Sequence, residues 1–264
     1  MARTSLVDLP ATTVADTDDS STMPSFWKET LWPMEWMVLR VSPVYFGIGV
    51  PRGDGSPVVV VPGFLGTDAY LLELYLWLKR LGYRPYMSGI GLNAECPGKL
   101  TDKLIRTAER ARAETGRPLR IVGHSLGGII ARRACVERPD LFSQLVYLGS
   151  PVQGVNAHPA IGAALSLLRF ARRALSSGFA DCLTERCECA FLSRIVERLP
   201  DKVSHAAIYT RNDGVVDWHD ALEVDPSLNY EAGGTHIGLV YNPRAYRVLA
   251  SLLAEAGAAD RLAA

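Results

Sequence analysis

Val58 to Val61 is apolar at every position and entirely β-branched, as expected of a strand covered on both faces in a parallel sheet. The period then changes. Residues 68–81 (DAYLLELYLWLKRL) carry Leu and Tyr at helical spacing, and Gly82 follows as a stop signal. The same reading predicts a strand over Tyr83–Met87, an amphipathic helix over Thr101–Glu114 and a strand over Leu119–Val122. A helix over Leu126–Arg138 and a strand over Leu145–Leu148 come next. Such alternation predicts an α/β fold with a mainly parallel sheet and helices on both faces. The alternation breaks at Ser150. Residues 152–200 read as an inserted helical cap or lid, with Ile161, Leu165, Leu168 and Phe170 beside Arg169, Arg172 and Arg173. The sheet resumes at Ala206–Tyr209, a last strand ends near Gly233, and Tyr246–Ala256 closes as a helix stopped by Gly257.

Ahead of the first strand the character of the chain changes twice. Residues 1–22 are small, polar and acidic, the composition of a disordered tail. Residues 23–56 form an N-terminal strap that concentrates Phe26, Trp27, Trp32, Met34, Trp36, Met37 and Val38, with Pro33 interrupting any single helix. One expectation is a strap packed over the core. The other is peripheral lipid contact or self-association through residues 26–38, since Trp suits a membrane boundary. The division expected is therefore a core of residues 57–151 and 201–264, interrupted by the cap at 152–200.

A length of 264 residues suits one α/β domain with an insertion, and 48% hydrophobic residues supply its core. Lys+Arg and Asp+Glu both number 28, so the electrostatic footprint of a nucleic-acid binder is missing. No apolar run approaches the ~20 residues of a membrane span, and no signal-peptide pattern opens the chain. The expected location is cytoplasmic, peripheral to a membrane at most. Five cysteines, an odd number, fit a reducing compartment. Cys182, Cys187 and Cys189 read as reduced thiols in the cap, with a disulfide, or a zinc site completed by His158 or Cys135, as alternatives.

The most informative segment is Arg120-Ile-Val-Gly-His-Ser-Leu-Gly-Gly128. Gly123, Ser125 and Gly127 form G-x-S-x-G between a predicted strand and a predicted helix, a turn that lifts the Ser125 hydroxyl above the sheet edge. In this motif and its setting the chain resembles the α/β-hydrolase family, and within it the bacterial lipases and esterases, from about Pro57 to Ala256. The resemblance implies an acid and then a histidine after the nucleophile. His236, in the glycine-flanked Gly-Gly-Thr-His-Ile-Gly segment, has the late position of the base. His124, His158, His205 and His219 do not, and the His124 side chain is expected to point away from the nucleophile. Asp213 follows a strand, and its Asp-Gly-Val-Val segment resembles the acid-bearing one; Asp217 and Asp220 are the alternatives. The oxyanion hole would use the backbone N–H of Leu126 and of Phe64, on a loop where Pro62 replaces the family's His. That replacement removes a side chain that helps hold the loop. Leu65, Val215 and Leu165 are candidate acyl contacts. No cofactor or metal is implied.

Taken together, these residues predict a serine hydrolase acting on an acyl ester or lipid through an acyl-serine. An acyltransferase, thioesterase or amidase would use the same three residues, because leaving group and acceptor are set by the cap and by access of water. A binding protein on the same scaffold, slow or inactive, is the alternative from another class.

Overall fold

The computed structural model describes residues 26–153 and 197–262. Leu165, His158 and the cysteine cluster of the cap lie outside the described residues, as does the N-terminal tail. Among the described residues six strands form one sheet: β1 (Pro57–Val61), β2 (Arg84–Met87), β3 (Leu119–His124), β4 (Phe142–Leu148), β5 (Ser204–Tyr209) and β6 (Asn229–Glu231). Their order is β2-β1-β3-β4-β5-β6, and every adjacent pair is parallel. The principal helices are α1 (Trp32–Val41), α2 (Leu72–Leu81), α3 (Pro97–Thr115), α4 (Leu126–Glu137) and α5 (Pro243–Leu262).

The uninterrupted valines of β1 are explained by two cores. Val58 and Val60 point to one, with the strap, α2 and α5. Val59 and Val61 point to the other, with α3 and α4. From β1 the chain moves outward to β2, then returns to the other side of β1 as β3. Such a switch point leaves a crevice at the C-terminal ends of β1 and β3, where open α/β sheets place their chemistry.

The strap is tied to α2. Trp77 Nε1 donates to the Val44 carbonyl at 2.9 Å, and the Tyr45 hydroxyl donates to Glu73 at 2.7 Å. Leu39, Val44 and Tyr45 are buried, whereas Trp27, Met34, Met37 and Val38 are exposed. Pro33 sits in the first turn of α1, where its missing N–H costs nothing, and so starts a helix there.

Several boundaries differ from the sequence reading. Residues 68–71 form a 3₁₀ turn, with the Asp68 carboxylate accepting from Ser88 and Gly89 across the sheet edge, and α2 begins only at Leu72. Helix α3 begins at Pro97, in its first turn, and β4 at Phe142. The larger correction concerns Gly257, which does not stop the last helix. It is buried inside α5, and a Cβ there would lie 2.5 Å from Asp54 Oδ2 and 2.9 Å from Arg120 Nη2. The glycine lets α5 pass over the ion pair of buried Arg120 with partly buried Asp54.

Candidate active site

Ser125 stands between β3 and α4 with φ 53° and ψ −129°. A non-glycine residue in that region is strained by about 1–3 kcal/mol. The surrounding glycines make the turn possible by close approach: a Cβ on Gly127 would lie 2.5 Å from the Val61 and Pro62 carbonyl oxygens. The Ser125 N–H donates to the Leu148 carbonyl at 2.9 Å, so the backbone of the turn is still tied to β4.

The loops after β5 and β6 bring two further residues to the same edge. His236 Nδ1 lies 2.6 Å from Asp213 Oδ2, with both side chains buried. The other carboxylate oxygen, Asp213 Oδ1, accepts the N–H groups of Val215 at 2.9 Å and Val216 at 2.8 Å. These two bonds orient the carboxylate and leave Oδ2 for the imidazole. The acceptor at Nδ1 holds the hydrogen there and exposes Nε2 as the basic nitrogen. Burial opposes the imidazolium, but the adjacent Asp213 charge, its hydrogen bond and the Glu29 carboxylate outweigh it. The His236 pKa is therefore raised above that of an ordinary histidine.

Solved structures share this architecture. The mature form of the Bacillus licheniformis lipase BlEst2 superposes with a TM-score of 0.57 at 18% identity, covering 78% of this chain and 95% of its own. A monoacylglycerol lipase from Paleococcus ferrophilus gives 0.51 at 15% identity, covering 78% and 97%. The chain has the α/β-hydrolase fold. In sequence, a triacylglycerol lipase of Burkholderia plantarii is 23% identical over 127 residues, 45% of this chain and 36% of that lipase. The chain spans about a third of the length of the curated relatives it matches. No family model matches it.

Within this α/β-hydrolase sheet the other candidate acids and histidines sort themselves by partner. Asp217 binds His219 at 2.7 Å on an exposed loop, and His205 lies 3.7 Å from Glu223. His124 has a structural role that the sequence did not reveal. Its ring packs 4.8 Å from the His236 ring, and its Nε2–H donates to the His236 carbonyl at 3.0 Å. Burial first, and then the His236 charge, hold its pKa down to about 3, so it is a neutral prop for the His236 backbone. Of the candidate acyl contacts, Leu65 is half exposed at φ 59°, while Val215 is buried and its amide holds Asp213.

The loop after β1 lies against the Ser125 turn: a Cβ on Gly63 would stand 3.0 Å from Ser125 Cβ. Pro62 supplies no anchoring side chain, and buried Asn93 takes over that role. Asn93 Nδ2 donates to the Pro62 carbonyl at 2.8 Å, its N–H to Gly66 at 2.9 Å, and its carbonyl accepts from Leu65 at 2.9 Å. Gly149 ends β4 at φ 56°, a left-handed conformation, with its missing Cβ 3.2 Å from His236 Nδ1 and 3.4 Å from Asp213 Oδ2. Any side chain there would press on the Asp–His pair. Two carboxylates of the strap reach the His236 loop as well. Glu29 accepts the N–H groups of Gly214, His236 and Ile237, and Glu35 accepts the N–H and hydroxyl of Thr235. Asn93, Gly149, Glu29 and Glu35 escape a reading of the sequence, because nothing local sets them apart from core or surface residues. The glycines around His236 were the one available hint: Gly234 and Gly238 leave the space that the Glu35 carboxylate fills.

Proposed function

We propose that this protein is a serine hydrolase that cleaves carboxylic esters through an acyl-enzyme formed on Ser125. The observation that carries the reading is a strained serine at the β3–α4 turn, on the same sheet edge as an Asp213–His236 pair joined at 2.6 Å. The lipase and esterase names of proteins that share the fold, and of the partial sequence relatives, support it.

A serine hydroxyl is a poor nucleophile until a base removes its proton. His236 Nε2 takes that proton as Oγ attacks the ester carbonyl, and Asp213 stabilises the imidazolium without taking a proton itself. Negative charge moves to the carbonyl oxygen, to which the N–H groups of Phe64 and Leu126 donate; the second opens α4, whose N-terminal dipole adds to the effect. The C–O bond then breaks, the alcohol leaves with the proton from His236, and water repeats the two steps to release the acid and restore Ser125. The substrate class is an acyl ester or lipid. The exposed Trp27, Met34, Met37 and Val38 of the strap support contact with a lipid surface, and the half-exposed Leu65 supports contact with the acyl chain.

Hydrolysis of p-nitrophenyl esters from C2 to C16 tests this directly, beside Ser125→Ala and His236→Ala. Turnover abolished by both substitutions is the expected outcome, and the chain-length optimum separates esterase from lipase. Folded protein that neither turns over any ester nor reacts with a fluorophosphonate would overturn it.

A further inference from the structure

Glu29 is 2% exposed and stands 207 residues before His236 in the chain. Its Oε1 accepts the Gly214 N–H at 2.9 Å and the His236 N–H at 3.0 Å; its Oε2 accepts the Ile237 N–H at 2.8 Å. Gly214 directly follows Asp213, so one carboxylate grips the loop of the acid and the loop of the base together. Burying a carboxylate is unfavourable unless donors meet its oxygens, and here each named partner is a backbone donor. Gly214 is packed for this contact, since a Cβ there would lie 3.0 Å from Glu29 Oε1. An apolar side chain could fill the same volume. It could neither tie the two loops together nor bring charge to them.

We propose that Glu29 is a positioning residue of the strap: it locks the Asp213 and His236 loops in register and sets a negative charge behind the imidazole. The proposal rests on the serine-hydrolase reading. The groups facing His236 come from three places. Asp213 binds Nδ1, His124 packs against the ring and donates to the backbone carbonyl, and Glu29 reaches in from the strap. Beside them, Glu35 holds Thr235 and the Tyr70 hydroxyl donates to the Ile237 carbonyl at 3.3 Å. His124 is neutral, so the charges that bear on His236 are carboxylates. Burial works against the imidazolium, and Asp213 and then Glu29 work for it, with a net rise. Backbone amides are dipoles without net charge. They hold the Glu29 carboxylate without cancelling its charge as a guanidinium would.

The test uses the full chain with Glu29→Gln, which keeps the shape, removes the charge and turns one acceptor into a donor facing an N–H. The readouts are the His236 imidazole titration by NMR and the pH profile of kcat/KM on p-nitrophenyl butyrate. The expected result is a lower His236 pKa, an acidic limb moved to lower pH, and kcat down on the order of 10–10²-fold, the cost of slight misplacement. KM should change by no more than about twofold, because substrate contacts remain. Glu29→Asp keeps the charge but shortens the reach, so kcat should fall while the acidic limb stays in place. An unshifted His236 titration with parental kcat in Glu29→Gln overturns the proposal. If that variant does not fold, parental kcat in Glu29→Asp overturns it instead. A parent enzyme without turnover or fluorophosphonate labelling removes the hydrolase reading, while the His236 titration still judges what Glu29 does.

Discussion

At the N-terminal end of β3, the buried Arg120 guanidinium donates to Asp54 Oδ2 at 3.1 Å and to the Leu253 carbonyl at 2.9 Å, and Arg117 adds a second cation on Asp54 at 3.1 Å. Around the C-terminal end, the carboxylates of Asp213, Glu29 and Glu35 are met by backbone N–H groups and by one imidazole. Both ends bury charge, with different consequences. Cation and anion cancel at the first end, and the result is an anchor that fastens α5 and the chain before β1 to the middle of the sheet. At the second end neutral dipoles hold the carboxylates, and the charges of Asp213 and Glu29 act on His236. One arrangement joins elements of the fold, and the other surrounds a strained turn and a histidine with uncancelled charge.

Substitutions should separate the two ends. The largest effect is expected from Asp213→Asn, which leaves the shape of the site intact and disturbs the tautomer of His236. It should lower kcat by on the order of 10⁴ with little change in Tm. Asp217→Asn, on the exposed Asp217–His219 pair, should leave turnover within about twofold.

Arg120→Met should do the reverse. Asp54 is partly exposed and keeps Arg117, so the loss, read from urea unfolding, should fall below the about 3–5 kcal/mol typical of breaking a fully buried pair, while kcat per folded molecule stays near the parental value. A comparable loss of kcat would show that the two ends are coupled through β3. Asn93→Ala comes next in size. The loop carrying Phe64 loses its anchor, and kcat should fall on the order of 10–10²-fold, less than for outright loss of an oxyanion donor, at nearly constant KM.

The smallest contrast is in pH. Burial alone would raise the Asp54 pKa, but hydrogen bonds from Ser56 and Arg120 and the Arg120 charge hold it well below the usual carboxylate range. Its contribution to stability is therefore present above the unfolded carboxylate pKa and lost as pH falls through the folded one. His236 has the opposite sign. With its folded pKa raised, its contribution is present below the unfolded histidine pKa and lost as pH rises through the folded value. Its reactivity also follows the reverse course, because only the neutral imidazole can accept the Ser125 proton. Activity should rise across the His236 pKa, while the stability that His236 contributes declines. Thermal melts carried well below the ordinary carboxylate pKa of about 4 should show the Asp54 loss, which Arg120→Met should diminish, while kcat/KM and melts followed up through the histidine range of about 6–8 should show the opposite trends of His236.

Legibility in the sequence followed the same division. The β1 valines, the helical spacing that ends at Gly82 and the glycine-bounded serine turn express local rules of burial period and chain reversal, and each element forms, though the helix expected from residue 68 begins only at Leu72. Gly257 misled, because a glycine that ends a helix and one that lets a helix pass over an ion pair look alike until the neighbour is known. His124 had only an expected direction, away from the nucleophile; that its ring packs against His236 was not legible.

By itself the sequence determined the alternating α/β plan and the serine turn, because their signals are periodicity and turn chemistry; through a family resemblance it offered His236 as the candidate base and Asp213, Asp217 and Asp220 as candidate acids. Only the tertiary structure decided which aspartate meets which histidine, that Asn93 holds the loop Pro62 would have left loose, and that two glutamates of the strap grip the His236 loop. Those contacts join residues up to 208 positions apart. Their partners are mostly backbone N–H and C=O groups, which every residue but proline carries alike. A side chain that binds a generic group leaves no complementary residue in the sequence, and the pairing exists only once the sheet has brought the two segments together.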